Sequence, residues 1–340
     1  NLIGAQDELV FDGNSMALNA DGKVAAMTIS FDEELLTIEM NENKEFVQQK
    51  LPSPLSKSFE IYEALALGIK DYINKNNFPG VIVGLSGGID SALTLTLAVD
   101  ALGANNVTAV FMPSQFSSDL SAEEAKNQAN TLGVELHIIP IETIKASFLK
   151  ELNPVFGNKA QDVTEENLQA RIRGIILMAL SNKTGRMVVS TGNKSENAVG
   201  YSTLYGDMVG GFDALKDISK TIVYQLAKYR NSISPVIPQR VIDRPPSAEL
   251  APNQCDQDTL PPYDILDGIL ELFVEQDKTV PAIVAAGYEL ETVKKVLKMV
   301  LRNEYKRRQG APGVRITEKA FGRDRRYPIT SGYQPWDDDG

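Results

Sequence analysis

The chain has 340 residues, of which 43% are hydrophobic and 23% charged; this supplies a core for two packed units or one large α/β domain and excludes disorder, collagen and coiled coil as the main organisation. A net charge of -11 argues against a general binder of nucleic acid or anionic membrane. One Cys (Cys255) and one His (His137) exclude an intramolecular disulfide, Cys- or His-cluster metal sites and a Ser-His-Asp triad, and this cysteine usage fits a reducing, cytoplasmic setting.

In chain order, the absence of an initiator Met makes the start at Asn1 read as a cut. Residues 8–11, 15–18 and 24–29 read as short strands, with Asp12-Gly13 and Asp21-Gly22 as hairpin turns between them. Such a ribbon cannot fold alone and reads as the remnant of a larger β-rich unit. Residues 41–57 are polar and Pro-bearing, a linker by composition. Phe59, Tyr62, Leu65, Ala66 and Ile69 then take helical spacing, and Val81–Leu85 suits a buried parallel strand. Helices are predicted over 92–102, over 121–132 with Ser121 and Glu124 as a capping box, and over 165–180. Strands are predicted at 107–112, 135–141 and 187–190. Strand and helix alternating at this spacing make a doubly wound parallel sheet, an α/β fold. Further helices are expected near 214–231, 263–275 and 289–305, and the Pro-rich stretch 235–262 reads as a binding loop. No stretch is apolar and charge-free for long enough to span a membrane.

The chemistry is concentrated where the first long strand meets its helix, at Gly84, Leu85, Ser86, Gly87, Gly88, Ile89, Asp90 and Ser91. Glycines at such a turn let backbone N–H groups approach an anion, and the helix start favours phosphate. The loop lacks the Gly-Lys-Ser/Thr ending of a Walker A motif and is not G-x-G-x-x-G. Asp90 beside a phosphate cradle is repulsive unless a cation intervenes, so it implies Mg²⁺. From Lys294 to Arg326, twelve Lys and Arg stand against Glu304, Glu318 and Asp324; this block is either a solvated helix face or an anion-facing surface.

Ser86-Gly-Gly-Ile-Asp-Ser91 resembles the pyrophosphate loop of the N-type ATP pyrophosphatases, whose fold is of the adenine nucleotide alpha hydrolase type. Asn167-Leu-Gln-Ala-Arg-Ile-Arg173, Ser190-Thr-Gly-Asn-Lys-Ser-Glu196, Gly200-Tyr-Ser-Thr-Leu-Tyr-Gly-Asp207, Asp217-Ile-Ser-Lys-Thr221 and Pro246-Ser-Ala-Glu-Leu250 are similar to successive motifs of NAD synthetases. Tyr305–Gln309 and Phe321–Pro328 resemble the tail of the glutamine-dependent branch, and residues 4–15 resemble the end of its nitrilase-like glutaminase domain. The resemblance implies residues 1–40 as a glutaminase remnant, 41–57 as linker, 58–334 as an NAD synthetase domain with C-terminal helices, and 335–340 as a frayed tail that includes Trp336 and the Asp337–Asp339 run.

It also implies a carbon–nitrogen ligase that converts deamido-NAD, ATP and ammonia to NAD, AMP and pyrophosphate through an adenylate. Residues 84–91, Thr191, Lys220 and Ser247 would meet ATP; Asp90 and Glu196 would hold Mg²⁺; Asn167, Arg171, Glu196 and Lys306 would face deamido-NAD. Asp90, Glu196 and Lys220 form the catalytic set. Glu166 and Arg173 read as structural, Leu204 and Asp213 receive no substrate role, and His137 reads as packing or surface. The basic block gains a dinucleotide to face. No segment resembles the glutaminase catalytic motifs and Cys255 lies in the wrong domain, so ammonia rather than glutamine is the expected donor. A homo-oligomer and a glutaminase domain in the full-length protein are the expected protein partners, with no nucleic acid or membrane. Two other readings stay open: another enzyme of the same loop, such as a GMP synthetase or tRNA thiolase, and a non-catalytic nucleotide sensor of the universal stress protein type.

Overall fold

The computed structural model describes residues 1–157, 159–251 and 254–336. The first elements are two separate antiparallel pairs, β1 (Ile3–Gln6) with β2 (Leu9–Asp12) and β3 (Met16–Leu18) with β4 (Val24–Met27). Asp21-Gly22 turns the second pair as predicted. Asp12-Gly13 turns nothing: the first hairpin closes at Asp7-Glu8, where Asp7 itself takes φ 53°, and Gly13 bridges to Ser30. A short polar residue reaches the left-handed region easily enough to replace glycine there. Residues 41–56 carry no helix, and the next element, α1 (Lys57–Lys75), starts at the Ser56 cap.

The main sheet has five parallel strands in the order β7-β6-β5-β8-β9, formed by β5 (Val81–Gly84), β6 (Val107–Phe111), β7 (Glu135–Ile138), β8 (Met187–Ser190) and β9 (Phe212–Asp213). Alternate residues feed opposite faces. Val81, Val83, Val107 and Ala109 pack with α1, α2 (Ile89–Leu102) and α7 (Lys220–Ile233), whereas Ile82, Val110 and Val188 pack with Ile172 and Leu177. Each fully buried aliphatic side chain contributes about 2 kcal/mol. From β5 the chain runs outward through α3 (Asp119–Leu132), then returns by α4 (Glu142–Phe156) and α5 (Val163–Thr184) to β8 on the other side of β5. Strand order therefore reverses between β5 and β8, and the crevice beyond their C-terminal ends is the natural ligand site of such a sheet.

Several boundaries differ from those predicted. The cap of α3 is Ser118, whose hydroxyl accepts from the Ser121 amide; Ser121 is one turn inside and Glu124 is buried against Arg240, so the Ser121–Glu124 box does not form. Helix α4 is not among the predicted elements; its Pro154 falls in the last turn, where the helix ends anyway. Residues 214–219 are buried irregular chain rather than the start of a helix. After β8 come α6 (Lys194–Val199) and, beyond α7, α8 (Gln239–Asp243), α9 (Tyr263–Leu270) continued by a π turn over Glu271–Glu275, α10 (Val280–Ala285), α11 (Leu290–Arg302) and α12 (Glu304–Arg307).

The C-terminal helices have their own core. On α11, Val293, Val296, Leu297 and Val300 face inward at helical spacing while Lys295 and Lys298 face solvent. Trp336 packs against this core and is not frayed; the Asp337–Asp339 run lies outside the described residues. The N-terminal hairpin is tied to α1: the Ala5 amide donates to Asp71 and Lys75 Nζ donates to the Ala5 carbonyl, both at 2.7 Å. Among the described residues no helix is long and apolar enough to cross a membrane.

Candidate active site

Residues 84–91 line one side of a cleft at the β5–β8 crevice. Gly87 has φ 82°, and a Cβ there would stand 2.7 Å from the Ser121 carbonyl oxygen, so only glycine fits the turn. Gly88 caps α2 without any side-chain hydrogen bond, which leaves the first amides of the helix free to meet an anion. The two serines brace the loop itself: Ser91 Oγ donates to the Gly88 carbonyl at 3.0 Å and accepts the Ser86 amide at 3.1 Å. Ser91 is buried, so the hydroxyl expected to face phosphate is a buttress.

Asp90, in the first turn of α2, and Glu196, in the first turn of α6, converge on one atom. Lys220 Nζ donates to Asp90 Oδ2 at 2.5 Å and to Glu196 Oε1 at 2.9 Å. Asn193 Nδ2 donates to the other Asp90 oxygen at 2.9 Å, and the Lys220 amide donates to Ser195 Oγ at 2.8 Å. The predicted catalytic three are thus assembled, although Lys220 is only 2% exposed and serves as counter-ion to both acids rather than as a free charge. Burial would lower the Lys220 ammonium, but Asp90 and Glu196 outweigh it and hold it above its ordinary range. Burial pushes Glu196 up to about 7 against the pull of Lys220.

No group of three or more metal-ligating side chains forms among the described residues. Mg²⁺, however, takes only one or two carboxylates and completes its shell with phosphate oxygens and water. Two carboxylates from different loops already focused on one ammonium fit that donor set.

Thr191 and Ser247 line the cleft. The Ser247 hydroxyl is engaged locally, donating to the Gln254 carbonyl at 2.5 Å and accepting the Glu249 amide at 3.2 Å. Asn167, Arg171 and Lys306 stand elsewhere: all three clasp the segment 200–207 that forms the cleft rim. Thr203 Oγ1 donates to Asn167 at 2.7 Å, Arg171 Nε donates to the Leu204 carbonyl at 3.2 Å, and Lys306 Nζ donates to the carbonyls of Gly200 and Ser202 at 2.7 Å. The basic block is likewise spent within the protein to a large extent. Arg307 is buried and pairs with Glu304, Arg315 pairs with Asp324, and Lys319 and Arg325 pair with Asp277.

The cleft also holds groups that spacing did not reveal. Arg173, read as structural, lines it, as do Arg244 and Glu249. Asp256 is 3% exposed, with one oxygen unpartnered and the other accepting from the Tyr263 hydroxyl at 2.8 Å. Asp213 is buried with Oδ1 unpartnered. Burial raises Asp213 to about 7. A carboxyl whose folded pKa is raised stabilises the fold below its unfolded pKa and loses that contribution as pH rises through the folded value. Unfolding free energy is therefore expected to fall from about pH 4 to about pH 7, by on the order of 3 kcal/mol, and Asp213→Asn should flatten the fall. Urea midpoints across that range check this; an unchanged slope in the variant counts against it.

The NAD synthase family model matches residues 61–310. The chain is 56% identical over 340 residues to a glutamine-dependent NAD(+) synthetase of Acinetobacter baylyi, covering 99% of this chain and 63% of that protein. Among solved structures, a glutamine-dependent NAD+ synthetase from Acinetobacter baumannii in complex with adenosine diphosphate is similar at 51% identity and TM-score 0.70, over 98% of this chain and 61% of that one. An NMN synthetase from Francisella tularensis is similar at 27% identity and TM-score 0.64, over 74% of this chain and 96% of that one. The chain spans about three fifths of the length of the curated relatives it matches. With well over half of its residues inside the family match, the chain belongs to the NAD synthase family.

Proposed function

We propose that the chain amidates deamido-NAD to NAD at the expense of ATP, with ammonia as nitrogen donor. The observation that carries this reading is that the phosphate loop 84–91 and the Asp90–Lys220–Glu196 cluster that starts in it line one cleft, in a chain of this family. The relative solved with adenosine diphosphate supports an adenine nucleotide as the occupant.

A carboxylate does not react with ammonia because oxide is too poor a leaving group, so activation comes first. A nicotinate carboxylate oxygen bonds to the α-phosphorus of ATP as the bond from that phosphorus to the bridging oxygen breaks and pyrophosphate leaves. Ammonia nitrogen then attacks the acyl carbon, a proton leaves the nitrogen, and the acyl C–O bond breaks to release AMP. The protein's work is alignment and charge compensation. The open amides at the start of α2 receive phosphate oxygens. Thr191 and Ser247 border the nucleotide, and Lys220 keeps Asp90 and Glu196 together until the nucleotide brings its charge. Mg²⁺, held by Asp90 and Glu196, would neutralise phosphate charge when bound. Asn167, Arg171 and Lys306 serve deamido-NAD by fixing the 200–207 rim, and Glu196 reaches the cleft beside it.

Residues 1–40 belong, in the same reading, to the end of a nitrilase-like glutaminase domain of the full-length protein, joined by 41–57 to the synthetase residues 58–334. A homo-oligomer and a cytoplasmic setting complete it; exposed Ile175 and Met178 on α5 offer apolar area for a second copy. The purified chain, given deamido-NAD, ATP, Mg²⁺ and ammonium, is expected to make NAD with equimolar pyrophosphate, and to make none when glutamine replaces ammonium. ATP binding without NAD formation would favour a nucleotide sensor, and glutamine-driven synthesis would sink the ammonia assignment.

A further inference from the structure

The phosphate loop itself contains no cation, so a polyphosphate held there needs positive charge from the rest of the cleft. Lys220 is committed to two carboxylates. Two other cations line the cleft: Arg173 from α5 and Arg244 just after α8. Arg244 Nη1 donates to Ser121 Oγ at 2.6 Å, and Nη2 pairs with Glu249. Ser121 is the residue against which Gly87 packs, so Arg244 stands one residue away from the phosphate loop.

Glu249 is fixed at this point by more than the ion pair. Its backbone is left-handed, with φ 50°, and its carboxylate accepts from Ser118 Oγ at 3.0 Å and lies 3.0 Å from Ser121 Oγ. Arg173 is anchored through Nε to the Met112 carbonyl at 3.0 Å, a bond that leaves both terminal nitrogens of its fork to other partners. Glu249 also offsets part of the burial that pulls Arg173 down to about 10. Glu249 thus holds the Arg244 guanidinium, and the Met112 carbonyl that of Arg173, on the wall of the cleft beside the phosphate loop.

We propose that Arg244, set in place by Glu249, and Arg173, anchored on the Met112 carbonyl, clamp the β- and γ-phosphates of the nucleotide and so hold the pyrophosphate that leaves. The assignment deepens the reading above and depends on it for the identity of the leaving group. A planar fork matches two phosphate oxygens at once, which a lysine cannot do. Glu249 is a positioning residue: it holds Arg244 against Ser121 before the phosphates arrive.

Equilibrium binding of inorganic pyrophosphate and of AMP to the purified chain in magnesium buffer tests the clamp without requiring turnover. Arg244→Met and Arg173→Met are each expected to weaken pyrophosphate binding about ten- to a hundredfold, with AMP binding changed by less than about twofold. Arg244→Lys keeps the charge and the partner of Glu249 but loses the fork, so it should lie between wild type and Arg244→Met; it decides the matter if the Met variant does not fold. Glu249→Gln should weaken pyrophosphate about threefold and leave AMP unchanged, a selectivity that general loosening of the fold does not produce. Pyrophosphate affinity within about twofold of wild type in the arginine variants, or equal losses for AMP and pyrophosphate, overturns the clamp. A wild-type chain that binds neither ATP nor pyrophosphate overturns the functional reading and the clamp with it.

Discussion

Asp90→Asn is expected to cut ammonium-supported NAD formation by on the order of a hundred- to a thousandfold while lowering unfolding free energy by about 1 to 3 kcal/mol. The two side chains are isosteric, but asparagine has one acceptor oxygen where Asp90 uses two, for Asn193 at 2.9 Å and for Lys220 at 2.5 Å, so one of these hydrogen bonds is lost. Lys220 would keep Glu196 at 2.9 Å, so the buried ammonium is not left without an anion. What disappears is one negative charge at the start of α2, beside the amides assigned to the nucleotide phosphates. Initial rates and denaturant midpoints measured on the same preparation separate the two effects. An unaffected rate refutes the role of Asp90, and a fall in rate matched by unfolding at the assay temperature would assign it to structure instead.

Lys194→Met should have the opposite profile, lowering unfolding free energy by about 3 to 5 kcal/mol. Lys194 Nζ lies 2.9 Å from Asp217, 2.8 Å from Glu275 and 2.5 Å from Thr317 Oγ1, and both Lys194 and Asp217 are almost wholly buried. Removing the ammonium strands Asp217, whose charge then has only hydrogen bonds for compensation. These come from the amides of Ile316 and Thr317, at 2.8 and 2.7 Å. A lower urea midpoint with an unchanged slope is the expected signature. Lys194→Met combined with Asp217→Asn should recover part of the loss, because the buried negative charge goes too. A single variant as stable as wild type would show that the cluster contributes nothing.

Much of the fold was readable because it rests on local rules. Val81–Gly84 is a short apolar run ended by glycines, and the turn at Gly87 needs the left-handed backbone that glycine provides. Asp90, Glu196 and Lys220 were legible as a set only through motif resemblance, since they lie on three helices far apart in sequence. What was not legible shares a cause: a side chain's partner is decided by tertiary placement. Ser118 and Ser121 are both plausible helix caps, and only the extended backbone of Ser118, whose hydroxyl accepts the Ser121 amide, shows that Ser121 is one turn inside. Asn167, Arg171 and Lys306 carry groups suited to a dinucleotide, yet in the fold they hold Thr203 and backbone carbonyls of the rim. Arg244 and Glu249, five residues apart in a Pro-rich segment, have no periodicity that could announce an ion pair.

The Lys194 knot also bears on the order in which the protein is made. The five sheet strands end at Asp213, and their partners are all present once the middle of the chain has been synthesised. Lys194 and Asp217 belong to that first portion, but Glu275 and Thr317 come much later. A nascent chain that has completed its sheet therefore still carries a charged pair lacking part of its shell, and it must keep that pair near water until the C-terminal segment arrives. Final burial waits for Glu275 and Thr317 to be translated, so a segment made much later closes over the pair.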